Sequence, residues 1–255
     1  MLIEPSSEGL KQLNHMKKRI TFRQNDVILV FTLGTTSNKK IAEKNQKIVQ
    51  TYSYSKGQFD EAMKPKTTMR EFFAQDNKVC FDCPFSVSNG AKLSACYTHK
   101  MMQYSGFISQ LRSIGKEFQN WDAIPELNAD IALNIMEIAK KRFVRFGSYG
   151  EPSLIPFTLV QGITEQANNW TGYTHQWMRK PEYAAYFMAS THNVHQEKIA
   201  REKGFKSFVA SPIAIPELVS CPASNEMGFK SNCAKCGLCS GTKGKGNKSV
   251  IILEH

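Results

Sequence analysis

Phe143-Val-Arg-Phe-Gly-Ser-Tyr-Gly150-Glu-Pro-Ser-Leu-Ile-Pro156 begins the stretch that decides the fold. Residues 143–148 read as a strand, because aromatic and β-branched residues run into a Gly-rich turn, and 156–167 read as a helix with an apolar face. The alternation then repeats. Strands are expected at 170–175, 187–190, 206–210 and 217–220, with a short helix at 182–185 and a longer one at 194–203 that Gly204 stops. Repeated strand–helix alternation gives parallel strands joined by crossovers. The fold class expected is α/β, a (β/α) barrel or partial barrel with a cysteine-rich metal-binding carboxy-terminal segment. In such folds reactive groups collect on loops at the carboxyl ends of the strands.

Three polar strand ends follow one another there. Gly147-Ser-Tyr-Gly150-Glu151-Pro152 closes the first strand, Thr174-His175-Gln176-Trp177 the second and Ser190-Thr191-His192-Asn193 the third. Converging on one mouth, they make Glu151, His175 and His192 the candidate catalytic residues. The same residues also suit turns and caps for the helices that follow.

Upstream, 26–33 reads as a strand ended by Gly34, 37–78 as irregular with a short helix around 41–48, and 96–119 and 129–141 as helices. Residues 1–20 form a polar segment with the basic run Lys17-Lys18-Arg19. Three units are expected: an amino-terminal segment with the first strand (1–78), a barrel-like core with a cysteine loop (79–220), and a metal-binding cap with the last strand, 249–253 (221–255).

The seven cysteines divide without remainder into two groups. Cys80-Phe-Asp-Cys83-Pro continues through a Ser- and Gly-containing loop to Cys96, and Cys221 precedes Cys233-Ala-Lys-Cys236-Gly-Leu-Cys239. Four thiolates saturate Zn²⁺ or a cluster, whereas three leave one position open for water, substrate or cofactor. All seven are candidate metal ligands. Three cysteines at two-residue gaps are the ferredoxin-like way to wrap a [4Fe–4S] cluster, whereas zinc sites more often join two separated Cys-x2-Cys pairs. Both iron–sulfur and zinc remain open. An odd, clustered count argues against disulfides and for a reducing compartment, the cytoplasm. No long apolar run suggests a signal peptide or a membrane span, so no membrane partner is expected.

A net charge of +11 attracts polyanions, nucleic acid or a nucleotide first among them, and fits a surface of solvated lysines equally well. The run Gly241-Thr-Lys-Gly-Lys-Gly-Asn-Lys248 lacks the G-x4-G-K-[ST] pattern and leads into a strand, so it is expected to be a flexible basic linker rather than a phosphate loop.

Cys80, Cys83 and Cys96 followed by Gly150-Glu151-Pro152 resemble, in order along the chain, the radical S-adenosylmethionine enzymes. The resemblance implies an open iron for S-adenosylmethionine, with Gly147, Gly150 and Glu151 forming the loop that meets it. The spacing here is C-x2-C-x12-C, where those enzymes typically use C-x3-C-x2-C. The blocks 145–152, 172–177, 188–190 and 221–239 also resemble a family of bacteriophage and prophage cysteine-cluster proteins to which no reaction is assigned. That likeness implies work in a bacterial host's cytoplasm. Together these readings make the chain a metal or iron–sulfur dependent enzyme acting on nucleic acid or a nucleotide. The alternative is a zinc-stabilised nucleic-acid-binding protein of phage replication or regulation, without catalysis.

Overall fold

The computed structural model describes residues 18–253, apart from Glu226 and Phe229. The chain opens with a hairpin, β1 (Arg19–Gln24) and β2 (Val27–Gly34), turned by Asn25 in the left-handed region (φ 51°). β3 (Ile48–Ser55) pairs antiparallel with β2, and β4 (Phe143–Tyr149) and β5 (Asn169–Thr171) then add in parallel. This first sheet has the order β1-β2-β3-β4-β5. The second is wholly parallel, in the order β6-β7-β8-β10-β9, from β6 (Tyr173–Thr174), β7 (Met188–Thr191), β8 (Ser207–Ser211), β9 (Val219–Ser220) and β10 (Val250–Leu253).

The strand expected at 170–175 is where the two sheets meet. It is divided at Gly172, whose N–H donates to the Cys239 carbonyl (3.0 Å) and whose carbonyl accepts from Met188 N (3.0 Å). A Cβ at Gly172 would lie 2.5 Å from the Phe187 ring, so a bare backbone is required where the strand passes from one sheet to the other. The fold is therefore mixed α/β with two parallel-rich sheets, and no closed ring of strands forms among the described residues.

The helices are α1 (Lys56–Met63), α2 (Met69–Phe73), α3 (Asn77–Cys80), α4 (Met101–Phe118), α5 (Ala129–Ala139), α6 (Phe157–Gln166), α7 (Val194–Glu202) and α8 (Cys233–Cys236). A continuous apolar core takes Phe22, Ile28 and Val30 from the hairpin, Leu111 and Ile114 from α4, Ile135 from α5, Val144 and Phe146 from β4 and Ile163 from α6. No helix among the described residues is long and apolar enough to cross a membrane.

The alternation from 143 to 211 appears within one or two residues of expectation. Two regions differ. The expected polar amino-terminal segment lies outside the described residues through position 17, and its end, from Arg19, is β1. The stretch 37–78, read as irregular, holds β3, α1, α2 and the start of α3, while the expected helix at 41–48 is instead turn and irregular chain through 47 and the first residue of β3 at 48. β3 escapes notice because Gln50, Thr51 and Ser53 dilute its pattern; Thr51 and Ser53 are nonetheless buried, since both faces of this central strand are covered.

Candidate functional site

The turn after β4 is built for close approach. Gly147 and Gly150 both have positive φ (66° and 76°), where a side chain is strained. A Cβ on Gly150 would meet Ser53 Cβ at 2.8 Å and the Ser53 carbonyl at 3.0 Å, and one on Gly147 would meet Pro152 at 3.0 Å. The space beside these glycines is thus filled by this chain itself. Glu151 N then donates to the Val79 carbonyl (2.7 Å), tying the turn to α3 and so to Cys80.

The Glu151 side chain is a joint. Only 4% exposed, it accepts from Ser153 N at 3.1 Å through Oε1 and from His175 N at 2.9 Å through Oε2, and the Thr174 hydroxyl also bonds it. Burial raises its pKa, and these donors pull against that rise. With both oxygens engaged, the carboxylate fastens the β4 turn to the end of β6 and sets the position of His175.

The first cysteine group lies beside this joint. Cys80 ends α3, and Cys83 follows in a turn closed by Cys83 N donating to Cys80 O (3.0 Å). His175 Nε2 stands 3.6 Å from Cys83 Sγ, and burial takes the imidazole pKa down to about 4, so this ring is neutral at pH 7. His175 and His192 stack with centroids 5.8 Å apart, and Phe85 meets His192 edge-on at 4.9 Å. Burial pushes all three thiols up, Cys83 to about 12, and Cys83 and Cys96 raise Cys80 further. The structure therefore brings Cys80, Cys83, Cys96, Glu151, His175 and His192 into one neighbourhood.

Several residues there were not singled out by sequence reasoning. Asp76 is fully buried, with Oδ1 accepting from Ser86 Oγ (2.6 Å) and Ser88 N (3.2 Å) while Oδ2 has no hydrogen-bond partner among the described residues. His99, three residues after Cys96, lies tilted against Phe73 with ring centroids 3.9 Å apart, and its buried Nδ1 also lacks a partner among the described residues. Asp82 accepts from Gln176 Nε2 (2.5 Å) and pairs with Arg179 (3.3 Å), joining the cysteine loop to the segment after β6. Asp76 and Asp82 lie within four residues of Cys80, the one local signal that could have marked them.

The second group is assembled from three parts of the chain. Cys221 N donates to Ile251 O (2.9 Å), Cys233 N to Lys40 O (2.9 Å), and the Cys239 carbonyl holds Gly172. Asn232 caps α8 through Lys235 N (3.0 Å), and Gly237 ends it at φ 68°, where a Cβ would strike the Asn169 amide at 2.4 Å. Lys206, 5% exposed, donates to the carbonyls of Leu238 (3.2 Å), Lys245 (3.3 Å) and Gly246 (3.0 Å) and so fixes the loop beyond the cysteines. As a result Cys221, Cys233, Cys236 and Cys239 line one cavity of about 40 Å³ together with Tyr173 and Phe208. Burial raises the Cys239 thiol, to which the Tyr173 hydroxyl donates, and takes Cys233 to about 11.

The donor chemistry and the enclosure of this cavity suit a thiolate-bound metal group. Among the described residues, however, no three Cys, His, Asp or Glu side chains are drawn together as a preformed ligand set. The loop 241–248, expected to be a flexible linker, is instead pinned. Thr242 N and Lys243 N donate to the carbonyls of Ala184 and Ala185 (2.9 Å each), and the Lys243 ammonium lies 5.3 Å from the Tyr186 ring centroid. Compared with known proteins, this chain finds no match to any family model, curated protein or solved structure.

Proposed function

We propose that the chain is an iron–sulfur or other metal-dependent enzyme acting on a nucleotide or nucleic acid. Its strands from β3 onward are read as an open, partial (β/α) barrel. The observation that carries this reading is the gathering of all four carboxy-terminal cysteines around a single cavity. Cys221, Cys233, Cys236 and Cys239 would hold one group, whose site is anchored to the junction of the sheets. Cys80, Cys83 and Cys96, beside His175, would hold the reactive one. Such a group, when bound, supplies electron transfer or Lewis acidity. A zinc ion bonds sulfur at about 2.3 Å and draws four thiolates into contact, whereas a single water needs about 10–15 Å³. The cavity of about 40 Å³ is roughly three times what one water needs.

The chain's own residues then have separable roles. Glu151 holds the His175 backbone, and the neutral His175 ring, its Nε2 3.6 Å from Cys83 Sγ, would orient that thiol within the group. The alternative, a zinc-stabilised nucleic-acid-binding protein, draws support from a groove of about 1100 Å³ between the α1–α2 turn and α4, where Lys66, Arg112 and Lys116 stand among Ser105, Ser109 and Ser113.

Anaerobic purification with metal and sulfide analysis tests the reading. Iron and sulfide with a broad absorption band near about 400 nm support the enzyme, and S-adenosylmethionine cleavage is then the first reaction to assay. Cys80→Ala should abolish turnover with the fold retained. Zinc without colour, joined to steeply salt-dependent nucleic-acid binding, would favour the alternative. A stable metal-free protein with seven reactive thiols would refute both.

A further inference from the structure

Between the two cysteine groups lies a guanidinium that no carboxylate among the described residues pairs with. Register places Arg145 on β4 opposite Gln50 of β3 and Thr171 of β5. Side chains alternate along a strand, so Arg145 projects with Phe143, away from the face on which Val144 and Phe146 enter the main core. Phe143, on that same face, packs with Ile41, Ile48 and Cys233. The groups acting most strongly on Arg145 are Tyr97, Tyr173, Cys233 and Tyr52. Among the described residues no carboxylate forms an ion pair with it. Tyrosine hydroxyls are neutral at pH 7, so they solvate the guanidinium without cancelling its charge.

Tyr97 supplies a second feature. It follows Cys96 directly, its hydroxyl oxygen accepts from Arg145, and yet the residue is 58% exposed. A tyrosine anchored at its phenol oxygen and more than half exposed has surface left for stacking. Tyr173 differs, its ring already stacked on Phe208 at 4.4 Å. A largely buried guanidinium that no carboxylate among the described residues pairs with presents a planar fork suited to phosphate oxygens, and the exposed Tyr97 beside it suits a flat heterocycle.

We propose that Arg145 and Tyr97 form a nucleotide-recognition site, with Arg145 taking the phosphate and Tyr97 the base, between the Cys80–Cys83–Cys96 group and Cys233. The inference deepens the nucleotide reading above by naming the residues that would recognise the substrate. It does not require either metal site to be loaded.

The test titrates the full-length protein, as isolated, with the four nucleoside 5′-monophosphates, the matching nucleosides and inorganic phosphate, following tyrosine fluorescence and heat. Metal content and melting temperature are measured on every variant. A monophosphate should bind at least about tenfold more tightly than its nucleoside, the scale of a charge-assisted hydrogen bond. Arg145→Met should abolish that preference, with metal content and melting temperature unchanged. Arg145→Lys, which keeps the charge and loses the fork, should bind with intermediate affinity and serves if the Met variant does not fold. Tyr97→Ala should weaken nucleotides while leaving inorganic phosphate unaffected. The proposal is overturned if wild type binds no monophosphate, or if Arg145→Met leaves the preference intact. Joint loss of metal and binding in Arg145→Met, with Arg145→Lys restoring both in full, would also overturn it and make Arg145 the counter-ion of the cysteine group. Nucleotide binding by a metal-free protein would sustain this site while refuting the metal-dependent enzyme.

Discussion

Replacing Gly150 by Ala should strike the centre of the candidate site from a position that carries no chemistry. The residue sits at φ 76°, where a side chain costs about 1–2 kcal/mol, and its Cβ would face the Ser53 carbonyl at 3.0 Å and Ser53 Cβ at 2.8 Å. Crowding of that kind costs a further 1–3 kcal/mol or so. A total of about 2–5 kcal/mol is a large share of the stability of a typical domain, about 5–15 kcal/mol. Gly90→Ala is the control. Gly90 also has positive φ (85°), but no atom lies within 4 Å of the position its Cβ would take, so only the backbone cost applies. Guanidinium unfolding of both variants should show Gly150→Ala less stable than Gly90→Ala by about 1–3 kcal/mol. Because Glu151 N holds Val79 O at 2.7 Å, Cys80 should also react faster with a chromogenic thiol reagent in the first variant alone. Equal losses in the two variants would refute the argument that β3 and the β4 turn meet too closely for a methyl group.

Lys206→Met removes an ammonium that serves three carbonyls, at Leu238, Lys245 and Gly246, and leaves them short of a donor. A loss of about 2–4 kcal/mol on thermal unfolding is expected, together with faster modification of Cys236 and Cys239. Ser55→Ala removes the α1 cap, in which Ser55 Oγ accepts from Gln58 N (3.0 Å), and also the bond from Oγ to the Gln75 carbonyl (2.5 Å). Urea denaturation should show a loss of about 1–2 kcal/mol, and an unchanged midpoint would show that the cap is dispensable.

The capping box Ser55-Lys-Gly-Gln58 is also a start signal that was open to a reader of the sequence, as was the hairpin turn at Asn25-Asp26 that places β1 against β2. β3 was harder. Its Gln, Thr and Ser residues read as loop, and only folding brings the β4 turn onto Thr51 and Ser53, with Gly147 N donating to Thr51 Oγ1 at 2.8 Å and Gly150 closing on Ser53.

What the sequence determined by itself is local. Buried strands and amphipathic helices leave their period in the chain, so the alternation from 143 to 211 and the capped ends of its elements were legible. Cysteine spacing likewise separated two groups, because residues in one short loop must be near one another. Tertiary structure decided everything that depends on long-range register. The pairing of Arg145 with Gln50 on one side and Thr171 on the other, the division of one strand between two sheets at Gly172, and the seating of Cys233 against Lys40 join residues far apart in the chain. The same holds for Glu151, whose carboxylate looked catalytic from its strand end. Only folding brought the His175 backbone to within 2.9 Å of it and made it a fastening between β4 and β6. Arg145 has the same physical reason behind it. A basic residue in a strand has no readable partner until the sheet is assembled, and here assembly surrounds it with tyrosines and pairs it with no acid among the described residues.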